Sequence, residues 1–377
     1  MSNPAVCLSP NGVDDYRFDT APKRLLVGSM DGVIELLEAQ SQWSASRRFL
    51  IGRHVSALLA VGETIIAGTH GDGLHASFDG GRTWSLRSAG FDSRNIFTLA
   101  VVRAGGSDTL YAGTEPAYLY RSVDGGRSWE ELPALRSFPT RERWNFPAPP
   151  HVAHVKHVTA DPRNPSILYV SIEQGALLKS WDGGASFQEL HFQGEGYALN
   201  KDAHRIVFSP GDPDEIYLDG GDGIARSKDA GLTWERIATP RMRVGYPDQL
   251  FISPDSEDTL FVVGGGTPPN IWRQTGDAQS TIVRSRDRGR SWQQLDGGLP
   301  PHLRGNLEAA SLVRWHGGFG LFAGSTDGEV FYSGDRGETW RMIAAGLPPV
   351  SKCIHHRNLT MGRAASGVGA TANPPAG

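Results

Sequence analysis

The chain has 377 residues, a net charge of −4 and 39% hydrophobic residues, enough apolar material for a sizeable core. Its charges form no long run of one sign, so the sequence predicts no nucleic-acid partner. No apolar stretch approaches the roughly 18 residues of a membrane span, which predicts no membrane partner either.

The first fifteen residues lack the basic and then apolar stretches of a secretory signal. Cys7 and Cys353 are the only cysteines, and such usage is ordinary for a reducing compartment. We therefore expect a cytoplasmic location.

Residues 25–50 have the pattern of an incomplete repeat. Residues 25–29 and 32–37 are predicted strands, and residues 43–50 take the place of a degenerate turn and an outer strand. The sequence shows no innermost strand ahead of them.

Six segments then match the pattern Ser-x-Asp-x-Gly-x-Ser/Thr-aromatic. Their aspartates follow one another at intervals of 45 to 58 residues, which is blade-like spacing. The pattern predicts a hairpin turn in which the carboxylate accepts backbone N–H groups and the glycine supplies a positive φ. We therefore expect these aspartates to be structural rather than catalytic. They are Asp79, Asp124, Asp182, Asp229, Asp287 and Asp335.

Each motif follows a series of short apolar strands separated by turns, as at residues 98–102, 109–113 and 118–122. About four strands per repeat is typical of a propeller blade. No stretch shows sustained helical periodicity with caps, so we expect little helix.

Residues 350–356 have the pattern of an innermost strand without a blade of its own. We predict an all-β, seven-bladed propeller over residues 1–360, its ring closed by this C-terminal strand within the first blade. Six blades is the alternative. Residues 361–377 are rich in Ala, Gly and Pro and predict a disordered tail.

Through its six motifs the chain, over about residues 25–357, resembles the Asp-box (bacterial neuraminidase repeat) β-propeller superfamily. Sialidases, xyloglucan-degrading hydrolases, sortilin-type receptors and photosystem assembly factors belong to it, so the resemblance implies a fold and leaves the function open. The motif in nearly every blade looks closer to the photosystem assembly factors.

Two activities of that superfamily fit the sequence poorly. Sialidases carry their first arginine in Tyr/Phe-Arg-Ile-Pro, whereas Tyr16-Arg17-Phe18-Asp19 has Asp where Pro belongs. A sialidase-like glycoside hydrolase is therefore a less favoured alternative. Xyloglucan-degrading enzymes place their catalytic aspartates in a cleft between two propellers, which a single propeller does not form.

In a blade, the loop leading into the innermost strand and the loop between the second and third strands open on one face, around the channel. Three connections there are long, at residues 133–153, 191–203 and 264–281, and long ordered loops are usually functional. This face, the top face, carries the candidate site. The predicted catalytic residues are His154, His204, Glu115 and Glu173, and the predicted substrate-binding residues are Lys156, Arg205 and Trp144.

Lys156 and Arg205 are predicted at equivalent inner-strand positions, where two cations would attract a carboxylate or phosphate. The alternative is that they only neutralise Asp202 and Asp248.

Imidazole and carboxylate groups in these loops also suggest a divalent transition metal, such as zinc, iron or manganese. The predicted ligands are His70, His154, His204 and Glu173. The alternative is that the histidines bond loop backbone or stack on Trp144.

Two functions follow. The first is an enzyme, a hydrolase or lyase that acts on a small polar or anionic substrate at the top face. The second is a non-catalytic scaffold that docks a protein partner, for which an exposed apolar patch or a surface of one charge would be expected.

Overall fold

A computed structural model describes residues 4–191, 202–237 and 242–352. The described strands form seven four-stranded sets, here named blades 1 to 7. Blades 1 and 2 are Val6–Leu8, Arg24–Ser29, Gly32–Ala39 and Gln42–Phe49, then His54–Val61, Thr64–His70, Leu74–Ser77 and Ser85–Leu86. Blades 3 and 4 are Asn95–Ala104, Ser107–Glu115, Leu119–Ser122 and Glu130–Glu131, then His154–Asp161, Asn164–Glu173, Ala176–Ser180 and Gln188–Glu189.

Blades 5 to 7 follow the same plan. Blade 5 is Ala203–Phe208, Ile216–Gly220, Gly223–Ser227 and Glu235–Arg236. Blade 6 is Tyr246–Ser253, Ser256–Gly265, Thr281–Ser285 and Gln293–Gln294, and blade 7 is Leu307–Trp315, Gly318–Ser325, Val330–Ser333 and Arg341–Ala344. Within blades 2 to 7, each strand pairs antiparallel with the next. The prediction of an all-β propeller is confirmed.

Helix is limited, in the described ranges, to a 3₁₀ turn at Arg141–Arg143 and an α-helix at Pro269–Thr275. Both lie in long loops of the top face. Within the part of the chain that the structure describes, no helix is long and apolar enough to cross a membrane.

The apolar cores lie between neighbouring blades. Innermost strands contact each other in chain order from blade 2 to blade 7, and blade 7 contacts blade 1. Between blades 3 and 4, for example, Tyr111 packs in one cluster with Val155 and Leu168. Burying such a side chain contributes about 1.5–3 kcal/mol, so the face-to-face contact of blades is a main source of stability.

The turn expected from the repeated motif is present in blades 2 to 7. In blade 3, Asp124 Oδ1 accepts the backbone N–H groups of Arg127 at 2.9 Å and Ser128 at 3.0 Å. The Ser122 hydroxyl donates to the same oxygen at 2.8 Å. Hydrogen bonds from Ser128 and its neighbours hold the pKa of Asp124 well below its usual value. The glycine at the turn, Gly126, has φ +84°, as the sequence predicted.

The predicted closure of the ring by residues 350–356 is wrong for the described residues. The innermost position of blade 1 is held by Val6–Leu8, which runs parallel to Arg24–Ser29 and is fully buried. Residues 350–352 form no strand, and residues 353–356 lie outside the described residues, as does the predicted tail at 361–377. A strand of only three residues, between Pro4 and Pro10, has too short a pattern to be recognised in sequence.

The segment before residue 353 nevertheless joins the last blade to the first. The Val350 N–H donates to the Ser325 carbonyl at 3.2 Å, and the Met30 N–H donates to the Pro349 carbonyl at 2.9 Å. Lys352, which is also buried, reaches Asp248 in the channel.

The N-terminal segment occupies the channel itself. The Asn11 N–H donates to the Ser56 carbonyl at 3.1 Å, and the Leu99 N–H donates to the Asn11 carbonyl at 3.1 Å. Asp15–Arg17 then adds a parallel fifth strand to blade 7. Residues 9–17 therefore contact the innermost strands of blades 2, 3 and 7, and Pro10 also accepts hydrogen bonds from the innermost strands of blades 5 and 6.

Candidate functional site

A β-bulge interrupts the innermost strand of every blade from 2 to 7. A bulge inserts one unpaired residue and redirects its side chain. All six bulged residues are buried, and Lys156 Nζ lies 5.9 Å from the ring centre of Phe97 in the neighbouring blade. The bulged residues are Ser56, Phe97, Lys156, His204, Asp248 and Glu308. The repeated bulge thus supplies one channel-lining side chain from each of six blades.

Glu173, at the end of the second strand of blade 4, is the centre of a buried charged network. Its Oε2 lies 2.8 Å from His154 Nε2 and 3.3 Å from Lys156 Nζ. Its Oε1 lies 3.7 Å from His204 Nε2. Burial would raise the pKa of Glu173, but the Lys156 ammonium and the His154 imidazole outweigh it and hold that pKa well below its usual value. The neighbours of Glu173 therefore favour its carboxylate form.

His154 lies between two carboxylates. Its Nδ1 is 3.4 Å from Glu115 Oε2, while its other nitrogen faces Glu173. The ring stacks on Phe97 with centres 3.6 Å apart. Although burial lowers the pKa of His154, the two carboxylates raise it above its usual value. His70 lies beyond Glu115, at 3.7 Å, and burial lowers its pKa.

His204 presents one nitrogen to the network. Its Nδ1 lies 2.7 Å from the Pro247 carbonyl, which can only accept, so Nδ1 carries a proton. Its Nε2 faces Asp202 Oδ1 at 3.5 Å and the Tyr246 hydroxyl at 3.3 Å. Burial lowers the pKa of His204, but Asp202 and Glu173 raise it by more, so the pKa lies above its usual value. Asp202 Oδ1 is itself buried and accepts no hydrogen bond from the described residues.

A cavity of about 530 Å³ opens above this network, and Glu173 and Asp202 line it. The wall of the cavity is aromatic and is formed by Phe97, Phe146 and Tyr246. Two of the three long loops predicted to be functional also contribute to the lining, with residues 146–149 from one and residues 268–270 and Arg273 from the other. An aromatic pocket with a few polar groups at its floor has the usual build of a small-molecule site.

The structure brings together most of the predicted site residues. His70, Glu115, His154, Lys156, Glu173 and His204 form one continuous set of contacts on the top face. Their loop positions predicted this convergence. Sequence reasoning did not assign a site role to Phe146, Tyr246, Asp202 or Lys352, although Asp202 stood out as a candidate counter-ion.

Arg205 lies outside the cavity, contrary to the prediction. Its guanidinium pairs with Asp14 and donates to the Pro10 carbonyl at 2.9 Å, so it holds the N-terminal segment in the channel. The bulge explains the error, because the extra residue makes His204 the equivalent of Lys156. Arg205 instead matches Gln249, which bonds the same Pro10 carbonyl at 2.9 Å.

Trp144 is also displaced from its predicted role. It is 8% exposed and packs in an apolar cluster with Phe138 beneath the long loop of blade 4. Phe146, two residues later, takes the predicted place on the cavity wall.

The predicted metal ligands are only partly brought together. Glu173, His204 and Asp202 each offer a ligand atom, all within 4.8 Å of one another. His154 has both nitrogens directed at carboxylates, and His70 lies on the far side of Glu115. These two histidines belong to the charged network rather than to that group.

No known family model matches the chain. It is 26% identical over 178 residues to xyloglucanase Xgh74A of Acetivibrio thermocellus, covering 39% of this chain and 21% of that enzyme. It is also 26% identical over 208 residues to a xyloglucanase of a Paenibacillus species, covering 47% of this chain and 20% of that enzyme. The chain thus spans about a fifth of these relatives. The predicted resemblance to the Asp-box β-propeller superfamily is confirmed, and it is confirmed through the xyloglucan-degrading members that had fitted the sequence poorly.

Solved structures share the fold. An ancestral GH74 enzyme superposes with a TM-score of 0.57 at 17% identity, over 86% of this chain and 40% of that one. YCF48 bound to D1 peptide superposes with a TM-score of 0.51 at 16% identity, over 89% of this chain and 97% of that one. The WD40 propeller of Doa1 superposes with a TM-score of 0.56 at 14% identity, over 88% of this chain and 95% of that one. The chain is a β-propeller.

Proposed function

We propose that the chain is a hydrolase whose substrate is a carbohydrate bound in the top-face cavity. The observation that carries the proposal is the meeting of Glu173, Asp202 and His204 at the floor of that cavity. Sequence similarity to xyloglucanases supports a glycan as the substrate class. The similarity covers under half of this chain, so the site itself carries the mechanistic argument.

The cavity floor suits activation of a water molecule. Two carboxylates and an imidazole nitrogen surround one small space, and such groups orient water and remove its proton. Asp202 is the member nearest to the open cavity, since its side chain is 15% exposed against 0% for His204. A sugar seated between Phe97 and Phe146 would lie against a water held there.

A neutral substrate fits better than the anionic one expected from sequence. Lys156 is paired with Glu173, Lys352 with Asp248 and Arg205 with Asp14, so each of these buried cations is already neutralised. Arg273, also on the wall, is exposed to solvent. The cavity therefore offers little uncompensated positive charge to an anionic group.

A glycan screen tests this function. The protein would be incubated with neutral oligosaccharides, including fragments of xyloglucan, and with oligosaccharides that contain uronic acid, and new reducing ends would be measured. We expect hydrolysis of at least one neutral glycan and slower reaction of acidic ones. Absence of new reducing ends from every neutral glycan would contradict the proposal.

A peptide-binding scaffold is the second candidate. Three consecutive motif turns carry exposed apolar side chains, Val123 at 72%, Trp181 at 49% and Leu232 at 62% exposure. YCF48, which shares the fold, is known bound to a peptide. If the screen finds no substrate, binding assays with Trp181→Ser would show whether this rim holds a peptide; unchanged binding would exclude the rim. A cytoplasmic location stays a prediction.

A further inference from the structure

The group at the cavity floor has spacings that suit a metal ion. His204 Nε2 lies 3.5 Å from Asp202 Oδ1 and 3.7 Å from Glu173 Oε1. Two ligands of a tetrahedral zinc, each about 2.1 Å from the ion, are about 3.4 Å apart. A small movement of these side chains would therefore bring all three atoms to coordination distance.

Two of the three potential ligands, His204 and Glu173, are oriented by a contact of their other polar atom. His204 uses Nδ1 on the Pro247 carbonyl, which leaves Nε2 as the coordinating nitrogen. Glu173 uses Oε2 on His154 and Lys156, which leaves Oε1 directed toward His204. Second contacts of this kind orient metal ligands in known sites.

Asp202 has a ligand atom that is only weakly satisfied. Its Oδ1 is buried, no described residue gives it a hydrogen bond of ordinary geometry, and its nearest described partner is His204 Nε2 at 3.5 Å. A bound cation would satisfy this oxygen.

The charge of the network also favours a cation. Five carboxylates face two lysines, and two protonated histidines or one dication would reduce the excess of negative charge. The carboxylates are Glu115, Glu173, Asp202, Asp248 and Glu308, and the lysines are Lys156 and Lys352. Because Lys156 contacts the Oε2 side of Glu173, it leaves the Oε1 side to an ion.

We propose that Glu173, Asp202 and His204 bind one divalent transition-metal ion, such as zinc, manganese or iron. One imidazole with two carboxylates is a ligand set for these metals. Glu173 and Asp202 line the cavity, so the ion is reached from solvent and keeps positions open for water. Only the task of the ion rests on the proposed hydrolase. In that reaction the ion would lower the pKa of the attacking water.

Cobalt is a suitable probe because its visible absorption reports coordination. Protein purified without a histidine tag, nickel or chelator would be dialysed against Co²⁺, and bound metal and absorption would be measured. We expect one Co²⁺ per chain. Asp202→Asn and His204→Gln should each weaken binding by at least about 100-fold. Asp222→Asn, which changes an exposed carboxylate of the same cavity, should bind like the unaltered protein.

Asp202→Asn is the decisive variant, because His204→Gln removes a fully buried side chain and risks misfolding. Unchanged binding in folded Asp202→Asn protein, equal weakening in Asp222→Asn, or no cobalt binding at all would each overturn the site. Cobalt binding without hydrolysis of any glycan would contradict the proposed hydrolase and support the site. Full hydrolysis by metal-free protein that binds no cobalt would support the hydrolase and overturn the site.

Discussion

Asp219, in the second strand of blade 5, is a carboxyl group whose negative charge is poorly stabilised. It is fully buried, its Oδ1 accepts the Arg205 N–H at 2.8 Å, and its Oδ2 accepts no bond from the described residues. Burial raises its pKa from 3.8 to about 6. Because the folded pKa exceeds the unfolded one, this group stabilises the fold below about pH 4, and that contribution is lost as the pH rises through 6.

Asp219→Asn should therefore change how stability depends on pH. The free energy of unfolding of Asp219→Asn minus that of the unaltered protein should increase from pH 4 to pH 7. For a pKa shift of this size the increase is roughly 2–3 kcal/mol. Urea denaturation of both proteins at several pH values measures the difference, in which other titrating groups cancel. Parallel curves for Asp219→Asn would contradict the shifted pKa.

The positions of individual residues in the sequence predicted much of the site. His154, Glu173 and His204 met because their loops share a face, which follows from blade topology alone. Arg205 was misplaced because a β-bulge adds one residue and moves each later side chain to the other face. A bulge depends on pairing with the neighbouring strand, and the local sequence does not reveal it.

The repeated turn is the element that sequence described best. Asp124 accepts hydrogen bonds from two backbone N–H groups and two hydroxyls within its own turn. Asp124→Ala should lower the free energy of unfolding by about 1–2 kcal/mol, since these bonds are lost at an exposed position. Chemical denaturation measures this loss, and Asp108→Ala is a matched control that should stay within about 0.5 kcal/mol. A large loss of activity per folded molecule would contradict the structural role of Asp124.

The N-terminal strand is the element that sequence reasoning missed. Leu8 is fully buried in the cluster that joins blades 1, 2 and 7. Leu8→Ala should lower the free energy of unfolding by about 2–4 kcal/mol, because it leaves a cavity where three blades meet. Val123→Ala, at an exposed residue, should have almost no effect in the same denaturation assay. Equal stability of Leu8→Ala and the unaltered protein would show that Val6–Leu8 is dispensable for closing the ring.

Segments near both ends of the described chain enter the channel. Residues 9–17 occupy it and bond to Arg205 and Gln249, while Lys352 enters beside Asp248. The periodic motifs predicted the blades because each repeat has its own local signal. They did not predict what occupies the channel, since those contacts join distant residues, such as Pro10 and Gln249, which are 239 positions apart.

The central claim is that hydrolysis takes place at the floor of the top-face cavity. The most direct measurement is kcat/KM of Asp202→Asn on a glycan that the unaltered protein hydrolyses, with the thermal midpoint recorded alongside. We predict a loss of at least about 100-fold with folding unchanged, because the carboxylate that faces His204 is removed. Asp108→Asn should keep the full rate. Wild-type kcat/KM in folded Asp202→Asn protein would contradict the account.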